Sequence, residues 1–319
     1  MKILMFGRGA IATFYGWALH GAGHDVEFYV RPGRAAAYGD SVELDLLDAR
    51  RSLRGRRVVR QWPVRLREEL PADHDFDLVV LSLPHHRLAE ASAFLAPRVG
   101  NATVLVFGNL WSDPRTAVSP LPLHRVAWGF PQAGGGFGED GVLRGALLPT
   151  VLFGTLGTPP TPREQAVRQL FGRAGFRLLE RPDFTSWLRI HFVFNAALHS
   201  QGLKHGSLAG LLGARDALRE ALLVGRELLP LLEASGVDLR SHRGGVLPFR
   251  LPTWLVAPAL SWVITHFPAA RVNFEAQSDP TAAEPREICR DTLAEARRWG
   301  VPTPRLEAAE PHFAVRGPA

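Results

Sequence analysis

The chain has 319 residues, a net charge of +6 and a single cysteine, Cys289. This length suits two domains, and a lone cysteine excludes an intramolecular disulfide. Most of the positive charge is arginine interspersed with Asp and Glu, and the basic cluster from Arg50 to Arg60 is short, so we expect no nucleic-acid partner. The apolar stretch from Trp254 to Phe267 is too short to span a bilayer, and no apolar leader precedes the first strand. We therefore expect a cytoplasmic protein with no membrane partner.

The first predicted elements are a strand, a glycine turn and a helix. The apolar run Lys2–Phe6 is followed by the sequence Gly-Arg-Gly-Ala-Ile-Ala at residues 7–12. Gly7 would permit a tight turn, Gly9 would let phosphates approach the backbone, and the free N–H groups of the helix would face the anion. We predict that Gly7, Arg8, Gly9, Ala10 and Ile11 bind a dinucleotide pyrophosphate.

A second apolar strand, from Val26 to Val30, follows after one helix and a Gly-rich turn, as a βαβ unit requires. An NAD-preferring site would place Asp or Glu at the end of this strand, whereas this chain has Arg31. Arginine there favours the 2′-phosphate of NADP(H) as cofactor. The alternative is an ordinary turn with a surface arginine.

Short apolar runs alternate with helical patterns through the rest of the first half. This alternation predicts an α/β fold, a Rossmann-like doubly wound sheet over residues 1–181, with later strands antiparallel where connections shorten. The predicted strands are Arg57–Trp62, Leu78–Leu83, Thr103–Phe107, Arg125–Phe130, Thr150–Phe153 and Arg177–Leu179. Asn109 follows one strand end, where open α/β sheets bind ligands, and would orient cofactor or substrate. The segment Gln132–Gly138 is typical of a flexible turn.

From Phe184 onward the strand signal disappears, which predicts an all-helical C-terminal domain over residues 182–319. The predicted helices are Phe184–Leu203, Ala214–Ser235, Leu251–Phe267 and Ala282–Trp299. Apolar surfaces around Trp254 and Trp262 are consistent with a homodimer, so we assign this domain to substrate binding and dimerisation. Cys289 lies inside a helical pattern and is interpreted as structural.

Several of these features together resemble the ketopantoate reductase family. They are the glycine turn, the segment Val30–Arg34, the strand end Phe107–Asn109, the helix led by Trp187 and the closing sequence Gly300–Pro304. The resemblance implies an NADPH-dependent reductase of 2-oxo acids, with substrate bound between a nucleotide-binding domain and a helical domain. It also implies a lysine after the tryptophan of the first helix of the second domain, followed by asparagines four and eight residues later.

No lysine occupies that position here, so two registers are open. A strict count from Trp187 places Arg189 at the lysine position. A shift of two residues instead gives His191, Asn195 and His199, which share one helical face. In this register His191 is the candidate general acid, Asn195 a further catalytic residue and His199 a substrate contact; the alternative is ordinary polar residues on a helix rim. His191 and His199 lack a third ligand, so we predict no metal.

Glu284 lies at the same distance before Gly300 as the family's substrate-binding glutamate. The resemblance therefore makes it a catalytic-site candidate, although Glu284 and Pro285 would also suit the start of a helix. We predict an NADPH-dependent oxidoreductase acting on a ketone or 2-oxo acid, with a small-molecule carbonyl substrate other than ketopantoate. The alternative function is a non-redox cofactor-binding scaffold, cyclase or isomerase on the same fold.

Overall fold

The first unit of the chain, Met1–Phe184, alternates strands and helices along its length, as βαβ packing requires. The computed structural model describes residues 1–52 and 54–314, so residues 315–319 of the predicted second domain lie outside it. The strands of this unit are β1 (Lys2–Phe6), β2 (Asp25–Tyr29), β3 (Ser41–Asp48), β4 (Arg56–Pro63), β5 (Leu66–Arg67), β6 (Leu78–Leu81), β7 (Thr103–Phe107), β8 (Val126–Phe130), β9 (Ala133–Phe137), β10 (Leu143–Leu147), β11 (Thr150–Gly154) and β12 (Arg177–Arg181). Its helices are α1 (Ala10–Gly21), α2 (Ala35–Tyr38), α3 (Leu88–Leu95), α4 (Pro114–Ala117) and α5 (Pro162–Arg173).

Eight strands form the main sheet in the order β12-β11-β8-β7-β6-β1-β2-β5. All pairs are parallel except β8 with β11, which confirms the predicted antiparallel late strand and the Rossmann-like fold class. Every residue of β6, β7 and β11 is buried, because helices cover both faces of the sheet. The chain order reverses between β1 and β6, and open sheets of this type bind ligands outside the carboxyl ends of the strands at such a point.

A second sheet, in the order β4-β3-β10-β9, was not predicted, and it corrects the interpretation of Gln132–Gly138 as a flexible turn. Residues 133–137 form β9, antiparallel to β10, with Gly135 opposite Gly145. A Cβ at either glycine would collide with the opposite strand and would lie within 3.0 Å of Cζ of Phe14 on α1. The glycines therefore let the α1 ring pack directly against the sheet backbone.

The second unit, Thr185–Ala319, is helical throughout its described residues, which confirms the predicted fold class of this half. Its helices are α6 (Phe184–Lys204), α7 (Arg215–Glu227), α8 (Leu229–Ala234), α9 (Arg243–Arg250), α10 (Thr253–His266), α11 (Pro268–Glu275), α12 (Ala283–Arg298) and α13 (Pro304–Ala309). The predicted helix over 214–235 was wrong as a single element: it breaks at Leu228, because Pro230 lacks the N–H that would continue it.

Among residues 1–52 and 54–314, no single helix is both long enough and apolar enough to span a membrane. α9 and α10 pass that test only as a pair, and the chain bends by 110° between them.

Candidate functional site

The glycine turn after β1 has the geometry of an anion site. Gly7 has a φ of +96°, a conformation that favours glycine, and its N–H donates to the carbonyl of Tyr29. Gly9 is the N-cap of α1; no side chain caps this helix, and its first turn has no acidic residue. A Cβ at Gly9 would meet nothing of the chain within 4 Å, so a ligand has room against the backbone. The N–H groups of Ala10 and Ile11, in the first helical turn, remain available to a phosphate.

Arg8, between the two glycines, is held by the protein. Its guanidinium lies over the rings of Tyr38 and Phe137, at 4.8 and 5.4 Å from their centroids, and it donates to the carbonyl of Ser41 at 3.2 Å. Burial lowers the pKa of Arg8, and its Nε is buried with no hydrogen-bond partner among the described residues. The side chain therefore ties the turn to the second sheet and keeps one donor for a further acceptor.

Arg31 follows β2 on an exposed turn. Its guanidinium forms no ion pair within the described part of the chain, so it is free to meet an anion. Glu68 was not predicted; its carboxylate accepts a hydrogen bond from the N–H of Ala35 at 2.7 Å. Hydrogen bonds from the backbone of Ala35, Gly33 and Arg34 lower the pKa of Glu68, so a carboxylate lies on the same turn as Arg31.

Two polar side chains follow the neighbouring parallel strands β6 and β7. Asn109 is 8% exposed, and neither its Nδ2 nor its Oδ1 has a hydrogen-bond partner in residues 1–52 and 54–314. The hydroxyl of Ser82, directly after β6, is buried and also without a partner. Buried polar groups are nearly always satisfied, so an orphaned amide and hydroxyl at the ligand-binding edge of the sheet indicate a missing polar ligand. Ser82 was not predicted, although a polar residue after an apolar strand was a visible signal.

The nicotinamide cofactor that the fold implies fits these residues. The uncapped start of α1 would hold the pyrophosphate, Arg31 would lie at the ribose end of the nucleotide, and Asn109 and Ser82 would be polar groups nearer the reacting ring.

On α6, His191 is part of a stack of rings. Its imidazole lies parallel to the indole of Trp187 at 5.0 Å between centroids, and Phe194 follows at 6.2 Å. Burial, and to a lesser extent the nearby His199, lowers the pKa of His191 to about 4. At neutral pH the ring is therefore uncharged, and it can offer a hydrogen bond but not the proton of an imidazolium.

Burial along α6 favours the register that contains His191. The strict register would put Val193 and Ala197 at the asparagine positions, and both are fully buried core residues. Arg189 donates to the carbonyl of Ser235 at 2.6 Å, which anchors α6 to the end of α8. Asn195, four residues after His191 on the same helical face, is half-buried.

His199 is 9% exposed, and burial lowers its pKa to about 4. Its contact with a substrate stays a prediction. Glu284 is half-buried in the first turn of α12, where a carboxylate stabilises the helix dipole, and its role at a catalytic site also stays a prediction. Cys289 is fully buried, its thiol donates to the carbonyl of Ala196, and burial raises its pKa.

Similarity to known proteins covers nearly the whole chain in fold and just under half of it in sequence. The model of the family described as Ketopantoate reductase PanE/ApbA matches residues 3–154, which confirms the predicted resemblance. No curated protein has a significantly similar sequence.

Solved structures with this fold include 2-dehydropantoate 2-reductase from Geobacter metallireducens GS-15, with a TM-score of 0.68, 18% identity, and coverage of 98% of this chain and 99% of that one. The PanE/ApbA family ketopantoate reductase from Ralstonia eutropha JMP134 has a TM-score of 0.67, 19% identity and coverage of 98% and 97%. D-mandelate dehydrogenase, solved with NADH and anilino(oxo)acetate, has a TM-score of 0.69, 15% identity and coverage of 99% and 98%. At these identities the likeness establishes the fold.

Proposed function

We propose, from the match of residues 3–154 to the model of the ketopantoate reductase family, that this chain is an NADPH-dependent reductase of a ketone or 2-oxo acid in the cytoplasm. The family and the similar structures are oxidoreductases that act on 2-oxo acids through a nicotinamide cofactor. No lysine follows Trp187 at the position on α6 that the family resemblance implies, which points to a substrate other than ketopantoate. In this proposal residues 1–184 bind the nucleotide, and residues 185–314 contribute to substrate binding.

The observation that carries the proposal is the orphaned Asn109 amide at the carboxyl end of β7. A buried amide without partners costs about 1–3 kcal/mol, and a protein retains such a group where a ligand satisfies it. Its position after β7, the strand next to the one that Ser82 follows, suits a nicotinamide or a carbonyl substrate.

Residues of the chain would then have the following roles. When bound, the nicotinamide supplies the hydride that reduces the carbonyl carbon. The ring N–H of His191 donates a hydrogen bond to the carbonyl oxygen and stabilises the negative charge that develops there, as a neutral imidazole can, and water supplies the proton that converts the alkoxide to the alcohol. Asn195 and Asn109 orient the substrate through their amides, and Glu284 binds a substrate hydroxyl.

A second candidate function, the non-redox scaffold, is favoured by one observation. His191 has a pKa of about 4 and is a weak replacement for a charged lysine as proton donor. A protein of this kind would bind the nucleotide but reduce no carbonyl compound.

Titration with NADPH and with NADH, followed by fluorescence, tests the proposal in wild type, Arg31→Ala and Glu68→Gln. We expect Arg31→Ala to weaken NADPH binding by about 10- to 100-fold, the value of one charge-assisted contact to phosphate, and to leave NADH binding unchanged. Tight NADH binding that is lost in Glu68→Gln and kept in Arg31→Ala would instead make Glu68 the ribose ligand and NAD the cofactor.

A screen of aliphatic and aromatic 2-oxo acids then separates the two functions. We expect His191→Gln to lower kcat while NADPH affinity is kept. Nucleotide binding without turnover of any carbonyl compound would refute the reductase and favour the scaffold.

A further inference from the structure

Helix α10 presents an apolar face to solvent, and this feature is independent of the proposed reaction. Trp254 is 75% exposed and Trp262 is 56% exposed, which is unusual for the largest apolar side chains. The face is completed by further exposed side chains of α10, its following residue and the neighbouring α9: Leu255, Val263, Phe267 and Leu247. These six residues are called the α10 face below.

The exposure follows from how little of α10 is packed. Its buried residues are Ala257, Ser261 and Ile264, which lie on one narrow side of the helix. The exposed positions recur at intervals of three and four residues from Trp254 to Phe267, and all are apolar except His266. A helix that is apolar on nearly all sides is normally covered on nearly all sides, so this face needs a partner.

In the sequence, the charged residues between Asp238 and Glu275 are all arginines. From Leu239 to Phe274 the sequence contains no Asp or Glu. Arg243 and Arg250 on α9 precede the face and form no ion pair with the described residues, whereas hydrogen bonds and the nearby charge of Arg240 lower the pKa of Asp238. An apolar face with tryptophans and unpaired arginines beside it is complementary to an anionic lipid surface, because the rings enter the interface and the arginines meet the headgroups.

The bend between α9 and α10 separates a surface site from a transmembrane one. Together the two helices are apolar enough for a bilayer, but a 110° turn prevents them from crossing it as one rod. α10, with 14 residues, is about 21 Å long and could lie flat in the headgroup region. The sequence predicts a second copy of the chain as the partner of this face. A two-fold contact between copies would bring the unpaired arginines of one copy towards those of the other, and like charges repel.

We infer that the α10 face docks the protein onto a bilayer that contains anionic lipid. This inference replaces the expectation of no membrane partner. Each arginine near an anionic surface strengthens binding by about fivefold, so the two of α9 contribute about 25-fold.

Flotation of the full chain with vesicles tests the inference, using phosphatidylcholine alone or with about 30 mol % phosphatidylserine. We expect binding to the anionic vesicles, at least tenfold weaker in Trp254→Ser/Trp262→Ser and about 25-fold weaker in Arg243→Gln/Arg250→Gln. Trp299→Ser is the matched aromatic control, since Trp299 is 45% exposed on the end of α12. Arg177→Gln, on the exposed start of β12, controls for lost charge and should bind like wild type.

Light scattering without lipid gives the competing outcome. We expect a monomer whose thermal unfolding is unchanged in the tryptophan variant, because both side chains are exposed. A dimer that dissociates in Trp254→Ser/Trp262→Ser, with no vesicle binding, would assign the α10 face to a second copy and overturn the inference. A monomer that binds neither vesicle type would also overturn it.

Discussion

Replacing Asn109 with leucine should raise the stability of the ligand-free protein and abolish its stabilisation by nucleotide. Asn109 buries two polar atoms without partners, and such an amide costs about 1–3 kcal/mol. Leucine has the same branching and number of side-chain heavy atoms and removes that cost, at a packing penalty of about 1 kcal/mol for its bulkier methyl groups. A net gain of about 1 kcal/mol corresponds to a rise in Tm of about 2–4 °C for a unit of this size.

Differential scanning calorimetry with and without NADPH measures both effects. Wild type should gain about 2.7 kcal/mol at a nucleotide concentration 100 times Kd, and Asn109→Leu should gain much less. Ser92→Ala is the control: Ser92 is fully buried on α3 with an unbonded hydroxyl, so its removal should leave the NADPH response intact. A lower Tm in ligand-free Asn109→Leu, or an unchanged NADPH response, would refute the reasoning that the amide awaits a ligand.

Three further results are expected. Gly7→Ala should destabilise the protein by about 1–2 kcal/mol in urea unfolding, since the φ of Gly7 is +96°. Gly9→Ala should unfold like wild type but bind NADPH more weakly in a nucleotide titration. Unchanged NADPH binding in Gly9→Ala would mean that the turn is only structural. Burial lowers the pKa of His199 to about 4, so the unfolded state binds more protons than the folded state below about pH 6.5. The free energy of unfolding should therefore fall from pH 6.5 towards pH 4, and it should fall less steeply in His199→Gln. Equal pH slopes of the two proteins in urea titrations would contradict this. Cys289 should react with a thiol reagent only in denaturant, because it is fully buried with a raised pKa, and rapid reaction of the native protein would count against that burial.

The first site elements were predictable because their signals are local. A run of apolar residues followed by Gly7 and Gly9 is a strand, a turn and a helix start whatever surrounds it, and the positive φ of Gly7 agrees with that interpretation. The strand Thr103–Phe107 was predicted with the bounds that the structure has, since a buried parallel strand is a continuous apolar run.

The second sheet was missed because its strands depend on partners far away in sequence. β3 pairs with β10 about a hundred residues later, and β9 is composed largely of glycine, which has low strand propensity. The close approach of the two strand backbones, together with the packed ring of Phe14, explains why Gly135 and Gly145 face each other there.

By itself the sequence determined the order of elements, the glycine turn after the first strand and the change from an α/β half to a helical half, because backbone conformation and side-chain periodicity specify these locally. The tertiary structure alone decided which polar groups lack partners, as Asn109 and Ser82 do, and where Glu68 lies relative to Arg31. It also decided that burial leaves His191 uncharged and Trp254 in solvent. Whether a polar group has a hydrogen-bond partner, what its pKa is and how exposed it is all depend on neighbours that the fold brings together. The linear sequence does not contain the distances to those neighbours.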